Sequence, residues 1–461
     1  MFLSGPLPSE CPTAKLDSIL NWLACSVLLT LSRYMETSTD TPDSYVIVGA
    51  GVFGTSAALH LTREHPDAHI TLIDRGPFPH EAGASWDWNK VVRADYTSLV
   101  YMELALEALK SWRSDPLFNT FYHQTGIVWA DPSDRPRAII DNYKKLQATE
   151  KYRMSDPSET KSLWGGIYSD ANYTNVSEIL INESSGWAEA TNVLRQVTGA
   201  AVDAGVRYVE ADVRQVVFDD AGAATGVRTS NGDVLSARHV IVATGVYTPK
   251  LLLDSAPQRS SIHAGSRMIA AGICEGSVIL NDEDADYFSK GPVYVNEVQD
   301  VIGGVIPPTP ENRLKFYRDQ SFANTILHEA SQQNVSVPPD QTDYDQWTLS
   351  AGMKEEISRT VEGIFGNKST TWEITDYRIC WDLVTPTQDP IICEHPHAKN
   401  LYLATGGSFH SWKFLPILGK YIAQMIKGTL DPELAEKWAW DREDNGSAHE
   451  GLLPTREMRD V

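Results

Sequence analysis

The stretch Tyr45-Val-Ile-Val-Gly49-Ala-Gly51-Val52-Phe53-Gly54-Thr55 is a β-branched and aromatic run that breaks into glycines. It continues into the helix-forming Thr55-Ser-Ala-Ala-Leu-His-Leu61, so it predicts strand, tight turn and helix. Gly49 permits the turn, Gly51 lets backbone approach a pyrophosphate, and Gly54 lets helix pack close on strand. The phosphates then meet free N–H groups and the positive end of the helix dipole. A second β run, His69-Ile-Thr-Leu-Ile-Asp74, ends in an acid at the distance where a ribose hydroxyl needs an acceptor. Asp74 is therefore the expected ribose ligand, and Arg75 after it only mildly argues against recognition of a 2′-phosphate.

Working outward, the 461 residues suffice for more than one domain. The net charge of −22 would be repelled by a phosphate backbone, which excludes nucleic acid as a partner. No apolar run reaches membrane-spanning length, so no stable membrane association is expected. Cys11, Cys25, Cys274, Cys380 and Cys393 are odd in number and scattered, without metal-type spacing. A reducing, cytoplasmic setting and no metal follow as expectations. Residues 1–43 read as a leader outside the fold. Their apolar part, Ile19–Leu31, follows Glu10 and Asp17 with only Lys15 as a basic flank, a poor secretion signal. The part before Met35 reads as an extension of the gene model, with secretion or a membrane anchor as the minority alternative.

Tyr101–Trp112 has the apolar spacing of an amphipathic helix. His239-Val-Ile-Val-Ala-Thr244-Gly245 and Leu401-Tyr-Leu-Ala-Thr-Gly406-Gly407 are further buried-type strands ending in glycine. Three such units imply a nucleotide-binding sheet assembled from distant parts of the chain, with a second domain threaded through it. The expected division is 44–130, 185–260 and 372–435 for the nucleotide domain and 131–184 with 261–371 for an antiparallel-sheet substrate domain. Residues 436–461 are expected to form a tail, acidic and disordered from Asp441. The fold class is mixed α/β.

The fingerprint at Gly49, Asp74, Asn89-Lys-Val-Val-Arg93, Ala243-Thr-Gly245, Arg378-Ile-Cys380-Trp-Asp382 with Thr385-Pro386, and Gly406-Gly-Ser-Phe-His410-Ser-Trp-Lys413 occur in a familiar order. Over roughly Tyr45 to Trp440 the chain resembles the sarcosine oxidase and fructosyl amino acid oxidase family, closest to the fungal fructosyl amine oxidase branch. The resemblance implies a glutathione-reductase-type fold binding FAD, attached through Cys380. It also implies a monomer that oxidises secondary amines of amino-acid derivatives with dioxygen, giving an imine and hydrogen peroxide. Arg93 and Lys413 match the pair that holds the substrate carboxylate, and Lys90 and Lys315 match basic residues over the flavin ring. Asp319 keeps an acid near where fructosyl-specific members have one. Phe409, His410 and Gly407 form a wall beside the flavin, and Val52, Phe53, Val213 and Thr244 complete the cofactor contacts.

Two departures bear on the substrate. Phe409 and Ser411 stand where the family usually has glycines, and Trp438-Ala-Trp-Asp441 replaces an arginine-rich Trp-Arg-Trp-Arg segment. N-methyl or other N-alkyl amino acids are thus the first expected substrate class, possibly within a specialised biosynthetic pathway, fructosyl amino acids the second, and saccharopine or pipecolate the third. A nicotinamide-dependent dehydrogenase would share the Gly49 motif but has no need of Cys380 or Lys413. A catalytically silent flavoprotein is the other alternative.

Overall fold

The computed structural model describes residues 43–339, 345–443 and 452–461. The leader, with Cys11 and Cys25, lies outside the described residues apart from Asp43.

Strand Ser44–Val48 is central in a six-stranded sheet, pairing in parallel with His69–Asp74 on one side and His239–Val242 on the other. Arg207–Glu210 extends the first side, Leu401–Thr405 the second, and Ile391–Glu394 closes that edge antiparallel. Ile47, Leu72 and Ile241 are fully buried, as strands covered on both faces require. The helix Val52–Glu64 follows the glycine turn and packs against helices Ala190–Asp203 and Leu418–Ile426. Gly49 has φ +102°, and a Cβ there would lie 2.4 Å from the Ala243 carbonyl oxygen. A Cβ on Gly54 would lie 1.9 Å from the Gly49 carbonyl oxygen, so helix and turn touch only because neither residue has a side chain.

The second layer is an eight-stranded sheet in the order Asp376–Val384, Ile269–Ile279, Arg313–Arg318, Gly303–Ile306, Val293–Asn296, Ile127–Ala130, Ile179–Asn182, Tyr152–Ser155. It differs from the expected division at two places. Ile127–Ala130 and Asp376–Val384, grouped from sequence with the nucleotide half, hydrogen-bond into this sheet, the latter along nine residue pairs of Ile269–Ile279. Apolar β runs look alike in either sheet, and only the long-range pairing tells them apart.

The tail also departs from expectation. Leu452 is buried, and the Ser321 hydroxyl donates to its carbonyl at 3.0 Å. Arg456 holds the Glu356 carboxylate through two hydrogen bonds of 2.5 and 2.9 Å, and Ala323 bridges to Glu457 as a short strand pair. Acidic composition suggested disorder, but one apolar anchor and one half-buried arginine pinned to Glu356 tie residues 452–461 to the fold.

Candidate active site

A long cleft runs from the glycine turn to the face of the eight-stranded sheet. Alternation along the strands decides what it presents. Ile273 and Glu275 from one strand, Lys315 and Tyr317 from the next, Asp319 just past that strand's end, and Cys380 and Asp382 from a third all line it. The nucleotide end is lined by Gly49, Gly51, Val52, Phe53, Asp74, Arg75, Val213, Thr244 and Gly245, and the far end by Lys90, Arg93, Gly407, Phe409, His410 and Lys413. Of the sequence-derived site residues only Gly54 is absent from the wall, because it packs the helix against the turn.

Asp74 accepts hydrogen bonds from the backbone N–H of Ala50 and of Arg75, each at 2.7 Å. It thereby also braces the glycine turn. Ser85 Oγ, unnoticed in the sequence, accepts from Val52 N–H at 2.8 Å and sits 3.0 Å from where a Gly51 Cβ would be. Arg75 stacks over Tyr247 at 4.1 Å. The buried Asn89 Oδ1, in the cleft wall, has no hydrogen-bond partner among the described residues. A glycine cradle at a helix start, an acid at the end of the second strand and an orphaned acceptor along the cleft fit a bound FAD.

Beneath Cys380 lies a buried network of five charges. Lys315 Nζ contacts Asp87 at 2.5 Å, Glu275 at 2.9 Å and the Asn89 carbonyl at 3.4 Å. Lys90 contacts Asp87 at 2.9 Å, and Arg378 lies 3.4 Å from Glu275 and 3.7 Å from Asp87. Burial alone would raise the Asp87 carboxyl, but Lys315, Lys90 and Arg378 hold it well below the usual range. Asp87 and Glu275 were missed from sequence. The one signal for Glu275 is that it is the lone acid in the apolar run Ile269–Ile279. The Cys380 thiol is pushed up to about 11, by burial first and then by Glu275, against the opposing pull of Lys90 and Arg378. Arg378 favours the thiolate, but in the fold desolvation wins.

Arg93 and Lys413 differ from that network because neither has a carboxylate within ion-pair distance among the described residues. Arg93 donates to the Asp95 carbonyl and lies over the rings of Tyr96 at 4.5 Å and Trp129 at 4.8 Å. Lys413 Nζ donates to the Tyr96 hydroxyl at 3.1 Å and the His410 carbonyl at 2.5 Å. Burial, then Arg93 and Lys90, lower the Lys413 ammonium well below its ordinary value. Burial and Lys413 likewise depress His410 to about 3, so its ring is neutral, held between the Gln388 carbonyl at 2.8 Å and Tyr96 at 3.1 Å. Phe409 takes a positive φ of +59° with its N–H on Asp382 at 2.7 Å. That bond helps hold the residue in a left-handed conformation that favours glycine.

Across the cleft, Asp319 is pushed up to about 7, by burial first and then Glu297, against Arg135, Arg93 and Arg318. The folded chain holds this proton to about pH 7 whereas the unfolded chain releases it near pH 4, so stability falls as pH rises between the two. Asp319→Asn is expected to raise stability at pH 8 by on the order of 2 kcal/mol after allowance for screening, and by less at pH 5. Thermal unfolding of both proteins at the two pH values checks this.

A profile of the FAD dependent oxidoreductase family (DAO) matches residues 44–425. The chain belongs to that family. It is 25% identical to the L-saccharopine oxidase of Schizosaccharomyces pombe, over 87% of this chain and 94% of that one. It is 27% identical to the amino acid oxidase imqH of Aspergillus flavus, over 84% and 93%. The fructosyl peptide oxidase structure from E. terrenum superposes with a TM-score of 0.78 at 23% identity, covering 91% of this chain and 97% of that one, which shows the fold. This DAO-family protein is an FAD-dependent oxidase of the amine and amino-acid oxidase kind, acting on CH–NH donors. No helix among the described residues is long and apolar enough to cross a membrane.

Proposed function

We propose that the chain oxidises the secondary amine of an amino-acid derivative, with N-methyl and other N-alkyl amino acids as the first substrate class. When bound along this cleft, FAD would supply the two-electron acceptor for the hydride on the carbon beside the amine, with dioxygen as the final acceptor. The amine becomes an imine, which water hydrolyses, and dioxygen with two electrons and two protons becomes hydrogen peroxide. One observation carries this reading: Arg93 and Lys413 are two buried cations facing the same cleft, with no carboxylate within ion-pair distance among the described residues. A carboxylate bound between them offsets the cost of their burial and fixes the neighbouring carbon.

Neutral His410 and Tyr96 hold the Lys413 ammonium in place, and Trp412, buried against the Ser85 carbonyl at 3.2 Å, keeps water from that side. Attachment of FAD through Cys380 is part of the proposal, supported by its buried position on the cleft wall. Saccharopine-type substrates are the second reading, favoured by the name of the fission-yeast relative. A peroxide-coupled screen of N-methyl amino acids, saccharopine, pipecolate and fructosyl amino acids tests the proposal. Peroxide from an N-alkyl amino acid, but not from its methyl ester, is the expected result. Turnover of primary amines lacking a carboxylate, in preference to all of these, would overturn it.

A further inference from the structure

Tyr101, Asp389 and Trp438 are buried and stand outside the cleft wall, yet they meet at one oxygen behind it. The Tyr101 hydroxyl donates to Asp389 Oδ1 at 2.6 Å and accepts from Trp438 Nε1–H at 3.2 Å. A phenylalanine at 101 would fill the same space among Tyr96, Phe414 and Trp438, so packing alone does not call for the hydroxyl. A buried hydroxyl and carboxylate are costly unless bonded, and once bonded they fix the geometry around them. Asp389 is also held by Lys437 at 3.1 Å, and its carbonyl accepts from Thr385 Oγ1 and from Arg442, each at 2.7 Å. The Trp438 carbonyl is tied in turn, accepting from Ile392 N–H at 3.0 Å.

Two contacts carry this node to the cleft. The Tyr101 and His410 rings meet edge to face at 5.2 Å, and Gln388, next to Asp389, gives His410 Nε2 a carbonyl acceptor at 2.8 Å. A carbonyl only accepts, so Nε2 bears the hydrogen, and Nδ1 of the neutral ring accepts from the Tyr96 hydroxyl at 3.1 Å. The Tyr96 oxygen is thereby turned to accept from Lys413 Nζ at 3.1 Å, and the His410 carbonyl takes a second Lys413 N–H at 2.5 Å. An ammonium has three N–H bonds, which leaves one for a bound carboxylate. We infer that Tyr101, Asp389 and Trp438 are positioning residues for Lys413, setting the His410 ring and through it the two bonds that aim the ammonium at the substrate carboxylate. The inference rests on the reading of Arg93 and Lys413 as a carboxylate clamp. Trp438-Ala-Trp-Asp441, which lacks the arginines of the fructosyl branch, then acts on the carboxylate through the protein and not by touching it.

The test measures binding of propionate to the flavin-loaded protein through the change it makes in flavin absorbance, so it does not depend on which amine is the substrate. Tyr101→Phe is expected to raise the propionate dissociation constant by about tenfold, the scale of one lost buried hydrogen bond. Asp389→Asn keeps an oxygen for the Tyr101 hydroxyl and should stay close to the wild type. In a Lys413→Met background Tyr101→Phe should cause no further loss, because the contact it positions is already gone. A merely structural role would weaken binding to Arg93 by the same factor in either background. Tyr101→Phe binding propionate as tightly as the wild type, or losing as much with Lys413→Met as without it, overturns the inference. Trp438→Phe, which removes the other bond to the same oxygen, decides if Tyr101→Phe does not accumulate. Propionate bound equally by the wild type and Lys413→Met would remove the clamp and the inference with it. Binding that Lys413→Met weakens and Tyr101→Phe leaves intact would remove the inference alone.

Discussion

Lys413→Met is expected to lower kcat/KM for a carboxylate-bearing amine by a factor on the order of 10² or more, the scale of lost substrate positioning. The folded protein should tolerate the change well. Lys413 is 5% exposed, and its ammonium is disfavoured by burial and by the neighbouring Arg93 and Lys90. A methionine of similar length removes that cost without opening a large cavity. Loss of activity with melting temperature kept or raised would separate binding from folding. Esterifying the substrate should impose a similar loss on the wild type and little further loss on the variant, since both remove the same contact. An ester oxidised as fast as the acid by the wild type would dispose of the clamp. Because the lowered ammonium deprotonates as pH rises, wild-type kcat/KM for the acid should also decline on the alkaline side.

Cys380→Ala should release the flavin. Cys380 is 2% exposed, packed with Ile273 and Leu452, and lines the cleft that fits the cofactor. In the wild type, flavin should stay with the chain after acid precipitation; in Cys380→Ala it should appear in the supernatant. Cys393→Ala is the control, since Cys393 is on the antiparallel edge strand Ile391–Glu394 and does not line the cleft. Thiols are nucleophilic as thiolates, and this one is pushed up to about 11. Attachment in reconstituted protein should therefore be slow at neutral pH and faster towards pH 9, measurable as the growth of acid-stable flavin with time. Flavin fully released from the wild type by acid would remove the attachment.

The parts of this fold that are local in sequence were legible. Strand, turn and helix at Gly49 follow from steric needs met within eleven residues, and Asp74 follows from the end of the next strand. The Arg93 and Lys413 pairing came from resemblance, because nothing in either neighbourhood says that the two face one cleft. Asp87 and Glu275 were not legible for a related reason. Asp87 sits between Trp86 and Trp88 and meets Lys315 across 228 positions. A charged residue 228 positions from its partner looks like any solvated one until two strands fix its direction. The tail failed in the opposite sense, since composition averages over Leu452 and Arg456, the two side chains that fix it.

Leu452 is buried against Ile273 and Cys380, with Ala84 and Phe409 beside it. The cleft is thus walled at one point by a residue that lies beyond both Cys380 and Lys413 in the sequence. During synthesis the glycine turn emerges well before Cys380 and Lys413, and Leu452 follows both, while domains generally fold as units as they leave the ribosome. The nucleotide sheet itself waits for Leu401–Thr405. Cofactor capture accordingly waits until Cys380, Lys413 and Leu452 have all been made, and a ribosome stalled before residue 400 would carry a nascent polypeptide with a finished phosphate turn and no pocket behind it.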